Sequence, residues 1–212
     1  MITVKSFEFN YFSVNTYVLH DETGEAVLID CGCFCREEEL ELSNYIIANK
    51  LTLKHLLCTH LHLDHVFGNE FANRTYGLKP QAHKADVEGI PSPQEQAQIF
   101  GLHDRVQNIP IEKYLVGNEV IKFGNSELTT LLVPGHSPGS LVFYNKKNGF
   151  AITGDVIFSG SIGRTDLWKG NQEVLIAAIK DKILSLPDET ILYPGHGSAT
   201  NVIDESLNNP FL

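Results

Sequence analysis

Thr59-His60-Leu61-His62-Leu63-Asp64-His65 is the stretch from which the rest of the chain is read. Three histidines and an aspartate fall within six residues, directly after the apolar run Lys54-His55-Leu56-Leu57-Cys58-Thr59. That run is short, is bounded by polar sequence and reads as a buried strand. His60 and His62 are one residue apart, so in extended or loop backbone both rings project to one side and can grip a single metal ion. Asp64 and His65 offer a carboxylate and an imidazole to another ion, a donor set suited to Zn²⁺ and other first-row ions. A helix starting near Asp64 puts that carboxylate at a favourable N-terminus. A polar loop with surface histidines is the bland alternative, and so dense a set of donors after a buried strand argues against it.

Three further segments carry the same kind of residue at the end of a strand-like run. Val133-Pro134-Gly135-His136-Ser137-Pro138-Gly139-Ser140 sets one histidine in a tight turn, which alone would read as an ordinary hairpin. Ile152-Thr153-Gly154-Asp155 ends an apolar run on a carboxylate that is costly to bury unless paired or metal-bound. Tyr193-Pro194-Gly195-His196-Gly197 is another histidine between glycines. Strand ends can converge on one site, and the four segments together point to one metal centre.

The remaining pattern frames that centre. Residues 2–10, 16–20 and 26–30 read as strands of an N-terminal meander, with a turn at Asp21-Glu22-Thr23-Gly24. Residues 36–50 carry Leu40, Tyr45, Ile46 and Ile47 at near-helical spacing. Residues 66–76 read as one helix closed by Gly77, residues 79–82 as a short strand, and residues 94–101 as a helical excursion among prolines. Strands return at 119–123, 128–133, 141–144 and 150–153, followed by a helix at 172–184 and a strand at 190–193 that closes the regular structure. Each half supplies strands and a covering helix, which predicts an α/β sandwich of two sheets with helices outside, in one domain over residues 1–212.

A formal charge of −10, without clustered Lys and Arg, argues against a broad nucleic-acid interface. No apolar run approaches the ~20 residues that span a bilayer, and residues 1–6 lead into strand-like sequence, not a signal peptide, so a cytoplasmic location is expected. Cys31, Cys33 and Cys35 are spaced too tightly for easy pairing among themselves and read, with Cys58, as reduced thiols; a cysteine metal site is the sharper alternative, but C-x₂-C spacing is absent. Cys31 and Cys58 read as structural neighbours of the site. His20, His55, His83 and His103 have no spacing that links them to it, and Tyr17 reads as sheet packing.

The order T-H-x-H-x-D-H, G-H-S-P-G, G-D and P-G-H-G resembles the metallo-β-lactamase superfamily over nearly the whole chain. The resemblance implies a four-layer αββα sandwich of two mixed sheets with the metal site along one edge. It further implies that His60, His62 and His136 hold a first metal, that Asp64, His65 and His196 hold a second, and that Asp155 bridges both. The expected ions are two zinc, with iron or manganese as alternatives. In such a centre, ions about 3.5–4 Å apart lower the pKa of a shared water toward ~7, so that hydroxide attacks an acyl carbonyl. Asp64 would orient that nucleophile or handle its proton.

Joined to Gly160-Ser161-Ile162-Gly163-Arg164-Thr165-Asp166, the signature looks like the short form of the glyoxalase II group, the hydroxyacylglutathione hydrolases. The G-R-T-D stretch also resembles persulfide dioxygenases. Two departures bear on substrate: the chain ends soon after His196, where full-length glyoxalase II continues into a helical domain that supplies much of its glutathione site, and Ser140 stands where that enzyme has a histidine. Hydrolysis of a small-molecule thioester is therefore the expectation. Its alternatives are a mononuclear iron dioxygenase using His60, His62 or His136, and Asp155, and a non-enzymatic metal- or thiol-sensing module built on Cys31 to Cys35. Arg164 is the candidate for substrate contact, with pairing to Asp166 the competing reading.

Overall fold

A computed structural model describes residues 1–102 and 106–212; His103, set aside above, lies outside them. The first sheet has the order β1 (Thr3–Phe9), β2 (Val14–His20), β3 (Glu25–Ile29), β4 (Thr52–Leu57), β5 (Pro80–His83), β6 (Lys113–Leu115). Its first three strands are antiparallel and the rest add in parallel. The second sheet comprises β7 (Val120–Phe123), β8 (Ser126–Leu132), β9 (Leu141–Asn145) and β10 (Phe150–Gly154), and β10 pairs in parallel with β13 (Ile191–Pro194), which carries β14 (Thr200–Asn201) at the edge. Between β10 and β13 lies a small hairpin of β11 (Ile157–Phe158) and β12 (Ser161–Ile162).

The layering follows from period-two burial. Tyr17, Leu19, Val27, Ile29 and Leu57 face the second sheet, where Phe123, Leu128, Phe143 and Ile152 meet them in the central core. The residues between them, Val18, Leu28 and Leu56, face outward onto Leu42 and Ile46 of α1 (Arg36–Ala48). On the far side, Val142, Ala151 and Leu192 pack under Leu175 of α6 (Gln172–Ala178), Ile179 and Ile183 of the π-helical turn that prolongs it, and Val202 of α7 (Val202–Asn208). Strands buried on both faces need a covering layer on each side, and the result is the αββα sandwich.

The structure differs from the sequence expectations at several ends. The helix read over residues 66–76 is two short ones, α2 (Leu63–Val66) and α3 (Asn69–Tyr76). They break where Gly68 donates its N–H to the Cys31 carbonyl at 2.8 Å; a Cβ there would lie 2.5 Å from Cys31 Sγ. Beyond β5, α4 (Lys84–Gly89) and α5 (Pro93–Ile99) follow, and α4 is too short to leave a periodic signal. Regular structure continues past residue 193, because β14 and α7 are fastened by tertiary bonds: Glu205, buried, accepts from Gly160 N, Thr200 Oγ1 and Asn209 Nδ2. Among the described residues no helix is long and apolar enough to cross a membrane.

The two sheets are stitched at both ends. At the site end, Tyr17 hydroxyl donates to Pro194 O at 2.6 Å and Asn15 Nδ2 to Pro194 O at 3.0 Å. At the other end, Asp21 accepts from Thr23 N and Oγ1, Asn125 N and Ser126 Oγ, joining the β2–β3 turn to the β7–β8 turn. Burial acts to raise the Asp21 pKa, but these bonds outweigh it and hold the carboxyl at about 2. A group lowered in the folded state stabilises above its unfolded value and loses that contribution as pH falls through its folded value. Urea unfolding of wild type and Asp21→Asn should therefore differ most above about pH 4 and converge toward about pH 2; a difference that does not change with pH would contradict the assignment.

Candidate metal centre

The site is assembled at one edge, where β3, β4, β8, β10 and β13 end. Asp30 follows β3 with φ +51° and is 1% exposed. Its Oδ1 accepts from Thr59 N at 2.7 Å, and its Oδ2 accepts from Thr59 Oγ1 at 2.6 Å and from His65 Nδ1 at 2.9 Å. Because the Thr59 hydroxyl proton goes to Asp30, its oxygen is the acceptor for His60 Nδ1 at 3.0 Å. His136 Nδ1 donates to Arg164 O at 2.8 Å, and His196 Nδ1 to Phe12 O at 3.0 Å and Ser13 O at 3.2 Å. In His60, His65, His136 and His196 the Nδ1 thus carries the proton, and the Nε2 lone pair is left for another partner.

Those lone pairs converge. Donor atoms of His60, His62 and His136 lie within 4.8 Å of one another, and so do those of Asp64, His65 and His196. Asp155 spans the two groups: Oδ1 is 3.3 Å from His65 Nε2, while Oδ2 is 3.8 Å from His136 Nε2 and 3.5 Å from His196 Nε2. Asp64 Oδ2 is 3.2 Å from His196 Nε2 and 3.6 Å from His65 Nε2. The donors fit metal ions on two counts. His62 Nε2, His65 Nε2 and Asp155 Oδ1 are buried without a hydrogen-bond partner. His60 Nε2 and His136 Nε2 face each other at 3.1 Å with both protons on Nδ1, an arrangement that repels unless a cation is shared. Asp30, His60 and His65 form a third close group, but the Asp30 oxygens are already occupied by Thr59 and His65 Nδ1. Asp30 orients a donor and is not one.

Charge divides the site. Burial, then the neighbouring imidazoles, hold His60 well below its ordinary value and bring His62 to about 3; burial also lowers His136. These are the neutral rings a metal needs. Burial acts to raise Asp155, but His65 and His196 outweigh it and keep the carboxylate ionised. Burial likewise acts to lower His65 and His196; Asp155 and Asp64 overcome it, raising His65 well above its usual range and His196 to about 10. The two carboxylates thus make this half of the site a sink for positive charge.

Residues behind the donors fix their loops. Asp86, fully buried, accepts from Leu61 N at 2.9 Å, Ser137 Oγ at 3.0 Å and Gly139 N at 2.6 Å, locking the His60–His62 turn to the His136 turn. Burial pushes its carboxyl up to about 6. Gln96 Oε1 accepts from Leu63 N at 3.0 Å, and its Nε2 donates to Leu61 O at 2.8 Å. Ser140 Oγ bonds Ser137 Oγ at 2.8 Å within the turn. The glycines of the G-D and P-G-H-G segments have steric reasons: a Cβ on Gly195 would lie 2.2 Å from Asp155 Oδ1, and one on Gly154 (φ +50°) 2.3 Å from Thr59 Oγ1.

Beside the donors opens a cavity of about 520 Å³, lined by His62, Asp64, His136, Asp155 and His196 and by Phe12, Phe100, Phe158, Leu167 and Trp168. Arg164 also lines it, yet its guanidinium is bonded to Asp166 at 2.7 and 2.8 Å while its carbonyl holds His136. All four cysteines are unpaired thiols; Cys31 Sγ donates to Gly68 O and Cys58 Sγ accepts from Asn69 Nδ2. No cysteine enters a metal-capable group among the described residues. His20 meets Tyr45, His55 meets Lys122 O, and His83 caps α4, all away from the centre. Sequence reasoning missed Asp30, Asp86 and Gln96. Asp30 carried the same signal as Asp155, a carboxylate ending an apolar strand, whereas Asp86 and Gln96 carried none.

The profile of the metallo-beta-lactamase superfamily matches residues 10–196. The chain is similar to the hydroxyacylglutathione hydrolase GloC of Haemophilus influenzae, 37% identical over 205 residues that cover 95% of this chain and 93% of the relative. Among solved structures it is similar to the BLEG-1 B3 metallo-beta-lactamase, with TM-score 0.89, 30% identity and 99% of each chain covered. It is also similar to TTHA1623 in a di-iron-bound form, with TM-score 0.85, 31% identity, and 99% of this chain and 100% of the other covered.

Asp30→Ala leaves Thr59 N, Thr59 Oγ1 and His65 Nδ1 without their acceptor. It should destabilise the protein by about 3 kcal/mol or more and weaken metal binding by about 10–100-fold. Urea unfolding and competition with a chromophoric chelator measure the two; undiminished metal affinity would refute the orienting role.

Proposed function

The chain belongs to the metallo-beta-lactamase superfamily and is a metallo-hydrolase of it, and from that premise we propose that it hydrolyses thioesters in the manner of glyoxalase II. The substrate is S-2-hydroxyacylglutathione or a related small thioester. The observation that carries this reading is the Asp155 carboxylate spanning two complete donor triads beside an open cavity. The name of the Haemophilus influenzae relative supports it, since that protein is matched over 93% of its own length.

We assign His60, His62 and His136 to a first ion, Asp64, His65 and His196 to a second, and Asp155 to both. The mixed nitrogen and oxygen donors suit zinc, with iron or manganese as alternatives. When bound, such a pair supplies a water of pKa near ~7 and polarises the acyl carbonyl. The protein's own groups do the rest. Asp64, at the cavity wall with Oδ2 3.2 Å from His196 Nε2, orients the attacking water and takes its proton. The hydrogen bonds of Asp30, Arg164 O and Phe12 O keep the rings from turning away during turnover. Arg164 meets the substrate at the rim, braced by Asp166. No side-chain nucleophile is required: Cys58 is fully buried, and burial raises its thiol pKa well above the usual value. We read residues 1–212 as one domain acting in the cytoplasm, where unpaired thiols persist.

Metal analysis of the purified protein should find two ions per chain, with turnover of S-lactoylglutathione. His62→Ala should lose metal and activity together, and Asp64→Asn should lower kcat by about 10²-fold or more. One iron per chain with oxygen consumed on glutathione persulfide would overturn the hydrolase in favour of a dioxygenase.

A further inference from the structure

The cavity beside the metal centre has aromatic walls anchored to the donors of both triads. Phe12 sits on the β1–β2 turn, where Asn10 and Ser13 have φ +56° and +55°. Asn10 Oδ1 accepts from Phe12 N at 2.9 Å, and Asn10 Nδ2 donates to Gly32 O at 2.9 Å and Asp64 O at 3.1 Å. Phe12 O holds His196 Nδ1. The backbone that carries the ring is therefore tied to two residues of the second triad. On the other side, the Trp168 ring centroid is 5.8 Å from that of His62 in the first triad.

Phe12 also belongs to a train of rings. Tyr11–Phe34, Phe34–Phe67, Phe67–Phe12 and Phe12–Phe100 have centroid separations of 5.4, 4.8, 6.3 and 6.5 Å, and three of the four pairs are edge-to-face. Phe12 and Phe100 remain 48% exposed although both line the cavity. Another ring continues such a series at the same spacing and covers exposed apolar surface. Charge points the same way. Among the described residues lining the cavity, Arg164 is the one Arg or Lys, and its guanidinium is already neutralised by Asp166. Away from the metal centre and His196, the described walls of the cavity offer a substrate mainly apolar and aromatic contact.

Resting on the thioesterase reading above, we propose that the preferred substrate carries an uncharged aromatic group next to the thioester, seated against Phe12 and Phe100. The ring comes from the acyl group or from the thiol. Two aryl probes separate these sources: phenylacetyl-N-acetylcysteamine carries it on the acyl side, and S-benzyl thioacetate on the thiol side. Acetyl-N-acetylcysteamine is the reference, and S-lactoylglutathione the measure of thioester hydrolysis as such.

With metal-loaded protein, and with each rate divided by that of hydroxide-catalysed hydrolysis, kcat/KM for at least one aryl probe should exceed the acetyl reference by about tenfold or more. Phe12→Ala or Phe100→Ala should bring that ratio toward unity, and Phe12→Tyr should retain it; a ratio within one protein is insensitive to general loss of activity. Neither aryl probe exceeding the reference, or a preference that persists in both alanine variants, overturns the aromatic assignment while leaving thioester hydrolysis standing. Failure to turn over any of the four, S-lactoylglutathione included, overturns both.

Discussion

A carboxyl group buried inside a protein needs hydrogen-bond donors around it, and Asp30 has three: Thr59 N, Thr59 Oγ1 and His65 Nδ1. The requirement couples parts of the chain that have no other reason to agree. It fixes the end of β3 against the end of β4, sets which nitrogen of His65 is free and, through the Thr59 hydroxyl, sets the same for His60. An alternative rotamer of His65 would leave the buried Asp30 carboxyl short of a donor, and one of His60 would leave Thr59 Oγ1 short of one. A rigid centre is in this sense a by-product of solvating one interior carboxylate.

Asp86 repeats the device on the other loop, with a difference in chemistry. It receives two backbone N–H groups and a hydroxyl, and no titratable ring, so it holds the shape of the His60–His62 and His136 turns without setting a tautomer. Gln96 adds a neutral clamp from α5. The donors are thus held by two carboxyl groups and an amide whose polar atoms are engaged in these bonds, and the layers of the sandwich bring those three groups from different elements.

Much of this was legible in the sequence and some was not. The seven converging side chains can be read because each follows an apolar strand and each is a residue type that is costly in such a place. The αββα layers can be read because Val18, Leu28 and Leu56 are as apolar as their inward neighbours, so that both faces of β2, β3 and β4 need cover. The break between α2 and α3 cannot be read locally, because its cause is Cys31, far away in sequence. Asp86 is equally silent: it lies in a six-residue helix, and only the fold puts it under Leu61 and Gly139. Arg164 makes the pairing with Asp166 that competed with substrate contact, and its carbonyl on His136 belongs to neither reading.

The bond from His196 to the turn that carries Phe12 joins residues 184 positions apart. Loops that long close late, because their entropic cost is met only after nearer contacts have formed. In order of synthesis the His60, His62 and His136 group is complete only with residue 136, and the Asp64, His65 and His196 group only with residue 196. The converging set of side chains is therefore complete only once residue 196 has been made. An ion that met the chain earlier would find only the His60 to His65 segment of the set proposed above.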